Sequence, residues 1–296
     1  MKVIKIKPSG YCFGVVNAIK AVIDAHNSNV PKPINIYGML IHNKQVINAL
    51  SSLGINTIFS PTIEDLSNIK GTIIFTAHGI SLDVISEAKK RNLHVINATC
   101  RDVLKTMKII NKYLNKGYEV LYIGKKNHPE AIAATEDGRV HLIEKLPDLF
   151  NLDLTKKFII TNQTTMSIND IKEIHDFVSQ NFPHIKIIDE ICNATRRRQL
   201  AVLENIDTDI LYVVGDKKSN NSLNLASLHP NGRLIEGISD IDINELKNFN
   251  TVSVTAGAST PKAIINEVID YLEHFDDNSY ENSNSKLTAR DILNLN

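Results

Sequence analysis

Residues 94–130, "HVINATCRDVLKTMKIINKYLNKGYEVLYIGKKNHPE", read as strand, cysteine, helix, strand and polar loop in that order. The same text occurs again around Cys192: "IKIIDEIC" at 185–192, the helical "NATRRRQLAVLENIDT", the strand "DILYVVG" and the polar "DKKSNNS". It occurs a third time at the start of the chain, where "KVIKIKPSGYC" ends on Cys12 and is followed by "FGVVNAIKAVIDAHN", "INIYG" and "MLIHN". From cysteine to the glycine that closes the strand is 26 residues (12 to 38), 24 (100 to 124) and 23 (192 to 215). A repeat of this regularity marks one supersecondary unit used three times.

A second half-unit recurs downstream, a short apolar strand running into a loop led by threonine: "TIIFTAHGIS" at 72–81, "KFIITNQTTMS" at 157–167 and "TVSVTAGASTP" at 251–261. The step from glycine to threonine is 38 (38 to 76), 37 (124 to 161) and 40 (215 to 255). Strands alternating with helices predict an α/β protein of mainly parallel sheets covered by helices, with ligands collecting at the carboxyl ends of strands. Three such units are expected to pack about a pseudo-threefold axis as a trefoil, with their strand ends converging. The expected spans are 13–98, 99–191, and 192–275 together with an N-terminal strand in 1–12. Residues 276–296 are expected to form a polar, mobile tail that adds at most a terminal helix.

Composition bounds the function. The chain has 296 residues, 43% of them hydrophobic and 22% charged, enough for two or three domains with buried cores. Lysine plus arginine and aspartate plus glutamate number 33 each, and the longest basic run is Arg196-Arg197-Arg198. Neither nucleic acid nor an anionic membrane surface is expected as a partner. The amino terminus lacks the apolar core of a signal peptide, and no stretch approaches the ~18 apolar residues of a membrane span, so a cytoplasmic location is expected.

Three cysteines at equivalent strand ends, in a chain with none to spare for disulfides, suit a metal or cluster. Three thiolates match an iron-sulfur cubane whose fourth iron stays open to substrate, while zinc held by three cysteines and a water is the alternative. The polar loops belong to the same strand ends. They offer His42, then His78, then His128 with Glu130, then Gln163, Thr164 and Thr165, then Ser219, Asn220 and Asn221, then Ser259. Imidazoles, hydroxyls, amides and loop N–H groups can bind a phosphate or diphosphate without an arginine cluster. Ser81 and Ser167 read as helix caps instead. Apart from Asp216, Glu130 is the only acid in these loops, and an acid beside phosphate is a candidate proton donor.

Taken in order, "GYCFGV", "IHN", "AHGIS", "ATC", "HPE", "QTTMS", "SNN" and "TAGAST" resemble the 4-hydroxy-3-methylbut-2-enyl diphosphate reductase (IspH/LytB) family of the non-mevalonate isoprenoid pathway, from Val3 to about Leu272. The resemblance implies a monomeric or weakly associating trefoil with one 4Fe-4S cluster on Cys12, Cys100 and Cys192. It implies diphosphate binding by His42, His78, His128, Ser219, Asn221 and Ser259, to which the loop position of Asn220 adds a neighbour. Thr164 and Glu130 would handle the substrate hydroxyl and its proton, with His128 beside them. The implied reaction is reductive dehydroxylation to isopentenyl and dimethylallyl diphosphate, with a reduced ferredoxin or flavodoxin as electron donor. Departures from the family pattern fall at Asn97 and Arg101 ("NATCR" for "DATCP"), at Asn127 and Ala131 ("NHPEA" for "GHPEV") and at Asn220. Of these, Asn127 replaces a residue free to adopt positive φ. Two other readings are a quinolinate synthase-like three-cysteine dehydratase and a zinc or phosphate-ligand binding module.

Overall fold

The computed structural model describes residues 1–275 and 287–295. Its strands in chain order are β1 (Lys2–Lys5), β2 (Ile34–Tyr37), β3 (Asn56–Ile58), β4 (Thr72–Phe75), β5 (His94–Asn97), β6 (Glu119–Ile123), β7 (Val140–Ile143), β8 (Phe158–Asn162), β9 (Lys186–Ile187), β10 (Ile210–Val214), β11 (Gly232–Ile235) and β12 (Thr251–Ala256). Helices are α1 (Phe13–Asn27), α2 (Lys44–Ser52), α3 (Leu82–Lys90), α4 (Arg101–Leu114), α5 (Pro129–Ala134), α6 (Ile168–Asn181), α7 (Asn193–Leu203), α8 (Asn220–Ser227), α9 (Ile243–Leu246), α10 (Lys262–Glu273) and α11 (Ala289–Ile292), with short 3-10 turns between some of them.

The strands form three four-stranded sheets of one design: β3-β2-β4-β5, β7-β6-β8-β9 and β11-β10-β12-β1. Reading along the chain, each sheet places its second strand beside its first, then its third and fourth on the other side. The fourth strand of the last sheet is β1, paired parallel to β12 from Lys2↔Thr251 to Lys5↔Val254. The central pairs β2·β4, β6·β8 and β10·β12 are all parallel. In each sheet the order reverses between these two strands, which opens a crevice at their carboxyl ends.

The chain divides into two compact units, one of residues 1–19, 41–56 and 194 onward, the other of residues 20–40 and 57–193. The first holds the sheet built on β10 and β12. The second holds the sheets built on β6 and β8 and on β2 and β4. Both faces of the β6 sheet are covered, so its strands read as continuous apolar runs rather than alternating ones. Leu121, Ile123, Phe158 and Ile160 pack under α6 with Ile171, Ile174 and Val178. Val120, Tyr122 and Ile159 pack on the opposite face with Ile110, Leu114, Ala131 and Ala134 of α4 and α5. In the first unit Leu211 and Val213 meet Ala201, Val202 and Leu225 of α7 and α8.

Of the expected tail, residues 276–286 and 296 lie outside the described residues. Residues 287–295 carry α11, which packs on α2 with Ile292 only 5% exposed. Among the described residues no helix is long and apolar enough to cross a membrane.

Candidate functional site

All three cysteines are tied down by the same hydrogen bond. The amide of Cys12 donates to the carbonyl of Ala258, that of Cys100 to Ala77 and that of Cys192 to Thr164, at 3.0, 3.0 and 3.1 Å. Each acceptor lies two residues beyond the end of its sheet's third strand, since β12 ends at 256, β4 at 75 and β8 at 162. Each cysteine also immediately precedes a helix, α1, α4 or α7. The thiols are half-buried and none is in a disulfide. A threonine-led loop therefore holds each cysteine at the carboxyl edge of its own sheet, which explains physically why the two half-units recur together in the sequence.

In the second unit the acid sits beside a hydroxyl. Glu130 is the second residue of α5, behind Pro129, which suits the first helical position. Its side chain is 1% exposed. One carboxyl oxygen accepts from the Thr164 amide at 2.8 Å and the Tyr122 hydroxyl at 3.3 Å, and the other accepts from the Thr164 hydroxyl at 2.8 Å. Three donors favour the ionised form, yet burial outweighs them and the nearby negative charge of Asp102 adds to it, so the pKa is pushed up to about 7. This carboxyl can hold a proton near neutral pH. Burial, with the charge of Glu130 beside it, pushes the Tyr122 phenol up as well, which keeps it a donor.

His128 caps α5 through Nδ1, which accepts from the Glu130 amide at 3.2 Å. In the neutral ring this leaves Nε2 as the nitrogen that carries hydrogen. The His78 ring stands edge-on to His128 at 5.6 Å between centroids. Asn127, just before His128, has φ +66°, a left-handed conformation that asparagine tolerates better than most residues. Gln163 is fully buried and braces the loop: its carbonyl oxygen accepts from the Lys125 amide and its amide donates to the Thr165 hydroxyl.

In the first unit, Ser219 caps α8 by accepting from the Ser222 amide at 3.3 Å, which leaves its hydroxyl hydrogen as a donor. Asn221 accepts from the Thr195 hydroxyl through its side-chain oxygen at 3.4 Å. Its amide nitrogen is buried and has no partner among the described residues. Such a group costs ~1–3 kcal/mol until an acceptor reaches it. Asn220 opens α8 between these two residues and is half-buried. The Ser259 hydroxyl donates to the backbone carbonyl of His42 at 2.8 Å, so it positions that histidine as well as lying beside it. Burial lowers the His42 pKa, with the Asp216 charge working in the opposite direction. Asp216 itself accepts from the amides of Lys44 and Lys218 at 3.0 and 2.8 Å and ties the β10 loop to the start of α2. Ser81 and Ser167 cap α3 and α6, as expected of them.

Two residues escape the sequence reading. Tyr122 could have been suspected only as a phenol inside an apolar strand, where burial demands a partner. Arg198 is 4% exposed, and its guanidinium donates to the carbonyls of Ala194 and Gly10 at 2.8 and 2.5 Å. It thereby braces the turn that leads into Cys12, although its sequence context looks like a solvated basic run.

Among the described residues no three His, Cys, Asp or Glu side chains are placed to hold a single metal ion. The fit to a cluster rests on donor chemistry: half-buried thiols outside any disulfide, held by their backbones at three like strand ends, suit thiolate ligation of an iron-sulfur group. Parallel α/β sheets with a cysteine at a strand end of each, and imidazole, hydroxyl and amide side chains on the loops that follow their strands, define the class, that of α/β proteins built from three like parallel sheets. The family model described as LytB protein matches residues 3–273, and the chain belongs to that family. It is 46% identical to the 4-hydroxy-3-methylbut-2-enyl diphosphate reductase of Anoxybacillus flavithermus over 293 residues, covering 95% of this chain and 93% of that one. Identity to the Bacillus subtilis protein of the same name is also 46%, over 93% of this chain and 92% of that one. Among solved structures, the E-1-hydroxy-2-methyl-but-2-enyl-4-diphosphate reductase of Plasmodium falciparum superposes with a TM-score of 0.88 at 30% identity, covering 99% of this chain and 96% of that one.

Proposed function

We propose that this chain reduces (E)-4-hydroxy-3-methylbut-2-enyl diphosphate to isopentenyl diphosphate and dimethylallyl diphosphate, the last step of the non-mevalonate route to isoprenoids, in the cytoplasm. The reaction consumes two electrons and two protons, replaces the allylic C–O bond by C–H and releases water. A 4Fe-4S cluster on Cys12, Cys100 and Cys192, when bound, supplies electrons singly and Lewis acidity at its open iron. The spans 13–98, 99–191 and 192–275 with 1–12 are taken as the repeat units, each contributing one of those cysteines or the loop that holds it.

The chain's own residues anchor the substrate and move protons. His42, His78, His128, Ser219, Asn220, Asn221 and Ser259 bind the diphosphate oxygens. His128 donates from Nε2, and the Asn221 amide supplies the hydrogens that lack a partner. Binding energy from this remote anchor holds the reacting hydroxyl against the catalytic groups. Glu130 holds the proton, and the hydroxyl of Thr164 relays it. With Glu130 protonated, the 2.8 Å bond between them reverses, the threonine oxygen accepts from the acid, and its own hydrogen passes to the leaving hydroxyl. The neutral Tyr122 phenol keeps Glu130 oriented.

The observation that carries this reading is the buried Glu130–Thr164 pair, whose acid has its pKa pushed up to about 7 in a chain of this family. The test is anaerobic turnover of the hydroxymethylbutenyl diphosphate by cluster-loaded protein with reduced methyl viologen as donor. Isopentenyl and dimethylallyl diphosphate should both form. A protein with about four iron per chain that makes neither would overturn the reading.

A further inference from the structure

Helix α4 begins directly after Cys100 and carries a row of cations along one face. Arg101, Lys105, Lys108 and Lys112 are all exposed, at 73% and 65% for the first two side chains. Spaced four, three and four residues apart, they fall within an arc of roughly 60° and span about 16 Å of helix. Buried Val103, Thr106, Ile110 and Leu114 occupy the opposite face, so the row is fixed outward by the core. Leu104, 39% exposed, lies beside it. Among the described residues two acids approach the row: Asp102 is 3.9 Å from Arg101, and the buried Glu190 pairs with Lys105 at 2.9 Å. Lys108 and Lys112 pair with no carboxylate among the described residues.

The positive field continues past the helix end. The ammonium groups of Lys116 and Lys186 lie 5.9 and 5.8 Å from the Tyr113 ring centroid. The Tyr113 phenol falls below its usual range chiefly because Lys186 donates to it, with the charges of Lys186, Lys112 and Lys116 adding to the shift. Arg101 occupies the first turn, where the helix dipole favours an acid, so stability of the helix does not account for the placement. In a chain with 33 positive and 33 negative side chains, this is a local asymmetry.

We propose that the α4 stripe, with Leu104 at its side, is the docking surface for an acidic one-electron carrier protein that reduces this enzyme. The proposal rests on the reductase reading. A reaction that consumes two electrons from a one-electron carrier needs two encounters, each oxidising one carrier by one electron, and the two protons then complete C–H and water. Encounters of this kind use small interfaces and charge steering, which a row of this length can provide. The stripe starts at the cap residue Cys100, so a carrier seated on it lies against one of the proposed cluster ligands.

The experiment compares two donors on full-length, cluster-loaded protein under anaerobic conditions: reduced flavodoxin, which is an acidic protein, and reduced methyl viologen, a small cation that needs no docking. For the K108E/K112E variant, turnover per unit flavodoxin should fall about tenfold or more at low ionic strength, and its decline with added salt should flatten. Methyl viologen turnover and absorbance near 400 nm should stay within about twofold of the parent, because neither lysine takes part in binding or chemistry. K108Q/K112Q should fall between the two. The proposal is overturned if K108E/K112E keeps the parent's flavodoxin rate and salt dependence, or loses methyl viologen turnover in equal measure with its cluster intact. A selective loss of affinity for duplex DNA with flavodoxin unaffected would assign the stripe to nucleic acid and overturn it too. Should the parent protein turn over with neither donor, the reductase reading fails first and takes the docking surface with it.

Discussion

A carboxyl group at 1% exposure, held by three donors and with its pKa nonetheless pushed up to about 7, makes a prediction about rate that binding residues do not. Glu130→Gln keeps the size of the group and removes its transferable proton. Diphosphate affinity should stay within about tenfold while single-turnover rate falls by a factor on the order of 100. The parent rate should also decline as pH rises through about 7, where Glu130 loses its proton, and the variant should lack that limb. Stability follows the same sign. Because the folded pKa is raised, the contribution of the neutral acid is complete below the ordinary value of 4.5 and is lost as pH rises through about 7. Urea melts between those limits should slope less for Glu130→Gln. Ser259→Ala is expected to do the opposite in kinetics: without the bond to the His42 carbonyl the histidine is less well placed, so KM should rise several-fold, at about 1.4 kcal/mol per factor of ten, with a smaller change in kcat.

Helix α8 depends on two glycines at the ends of the strands beneath it. A Cβ on Gly215 would lie 2.4 Å from the Ser222 hydroxyl oxygen and 2.9 Å from its Cβ, and one on Gly257 would lie 2.0 Å from the same oxygen. The side chain of Ser222 is wedged between the ends of β10 and β12, which sets the first turn of α8, and with it Ser219 and Asn221. Gly215→Ala would ordinarily gain ~0.4–1 kcal/mol by restricting the unfolded chain. Here the clash should exceed that gain and push the turn outward. Thermal melting should show a lower midpoint than the parent, and KM for the diphosphate should rise by about tenfold or more; an unchanged KM would mean that α8 does not set the binding groups. By contrast, the caps at Ser81 and Ser167 were readable in the sequence because a cap is a local event spanning three residues.

At the scale of the molecule, the cysteines belong to different compact units, Cys12 to the first and Cys100 and Cys192 to the second. If these cysteines hold the cluster as proposed, Cys192→Ser, like Cys12→Ser and Cys100→Ser, should lose most of its bound iron and its absorption near 400 nm, since the chain has no fourth cysteine to replace the missing thiolate. A Cys192→Ser protein with full iron content and normal turnover would show that three cysteines are not the ligand set. The loss should be of cofactor rather than of fold, because each cysteine is held through its backbone amide, which serine retains. Far-ultraviolet circular dichroism separates the two.

What the sequence determined was the repetition: cysteine before a helix, glycine after a strand, threonine after the next strand, three times over. Those signals follow from local rules, the short apolar runs of strands and the short reach of turns and caps, so they survive in one dimension. They were enough for three parallel α/β sheets and for the place of each cysteine directly before a helix. The tertiary structure decided the rest. That the Glu130 pKa is pushed up to about 7 depends on water being excluded by residues far along the chain, and its hydroxyl partner, Thr164, is 34 positions away. That Tyr122 serves the acid, that Arg198 braces the Cys12 turn and that the Ser259 proton goes to the His42 carbonyl depend likewise on contacts up to 217 positions apart. No period or spacing encodes such pairs, because desolvation and hydrogen-bond geometry are properties of what surrounds a side chain in space, and the chain order of those surroundings leaves no local trace.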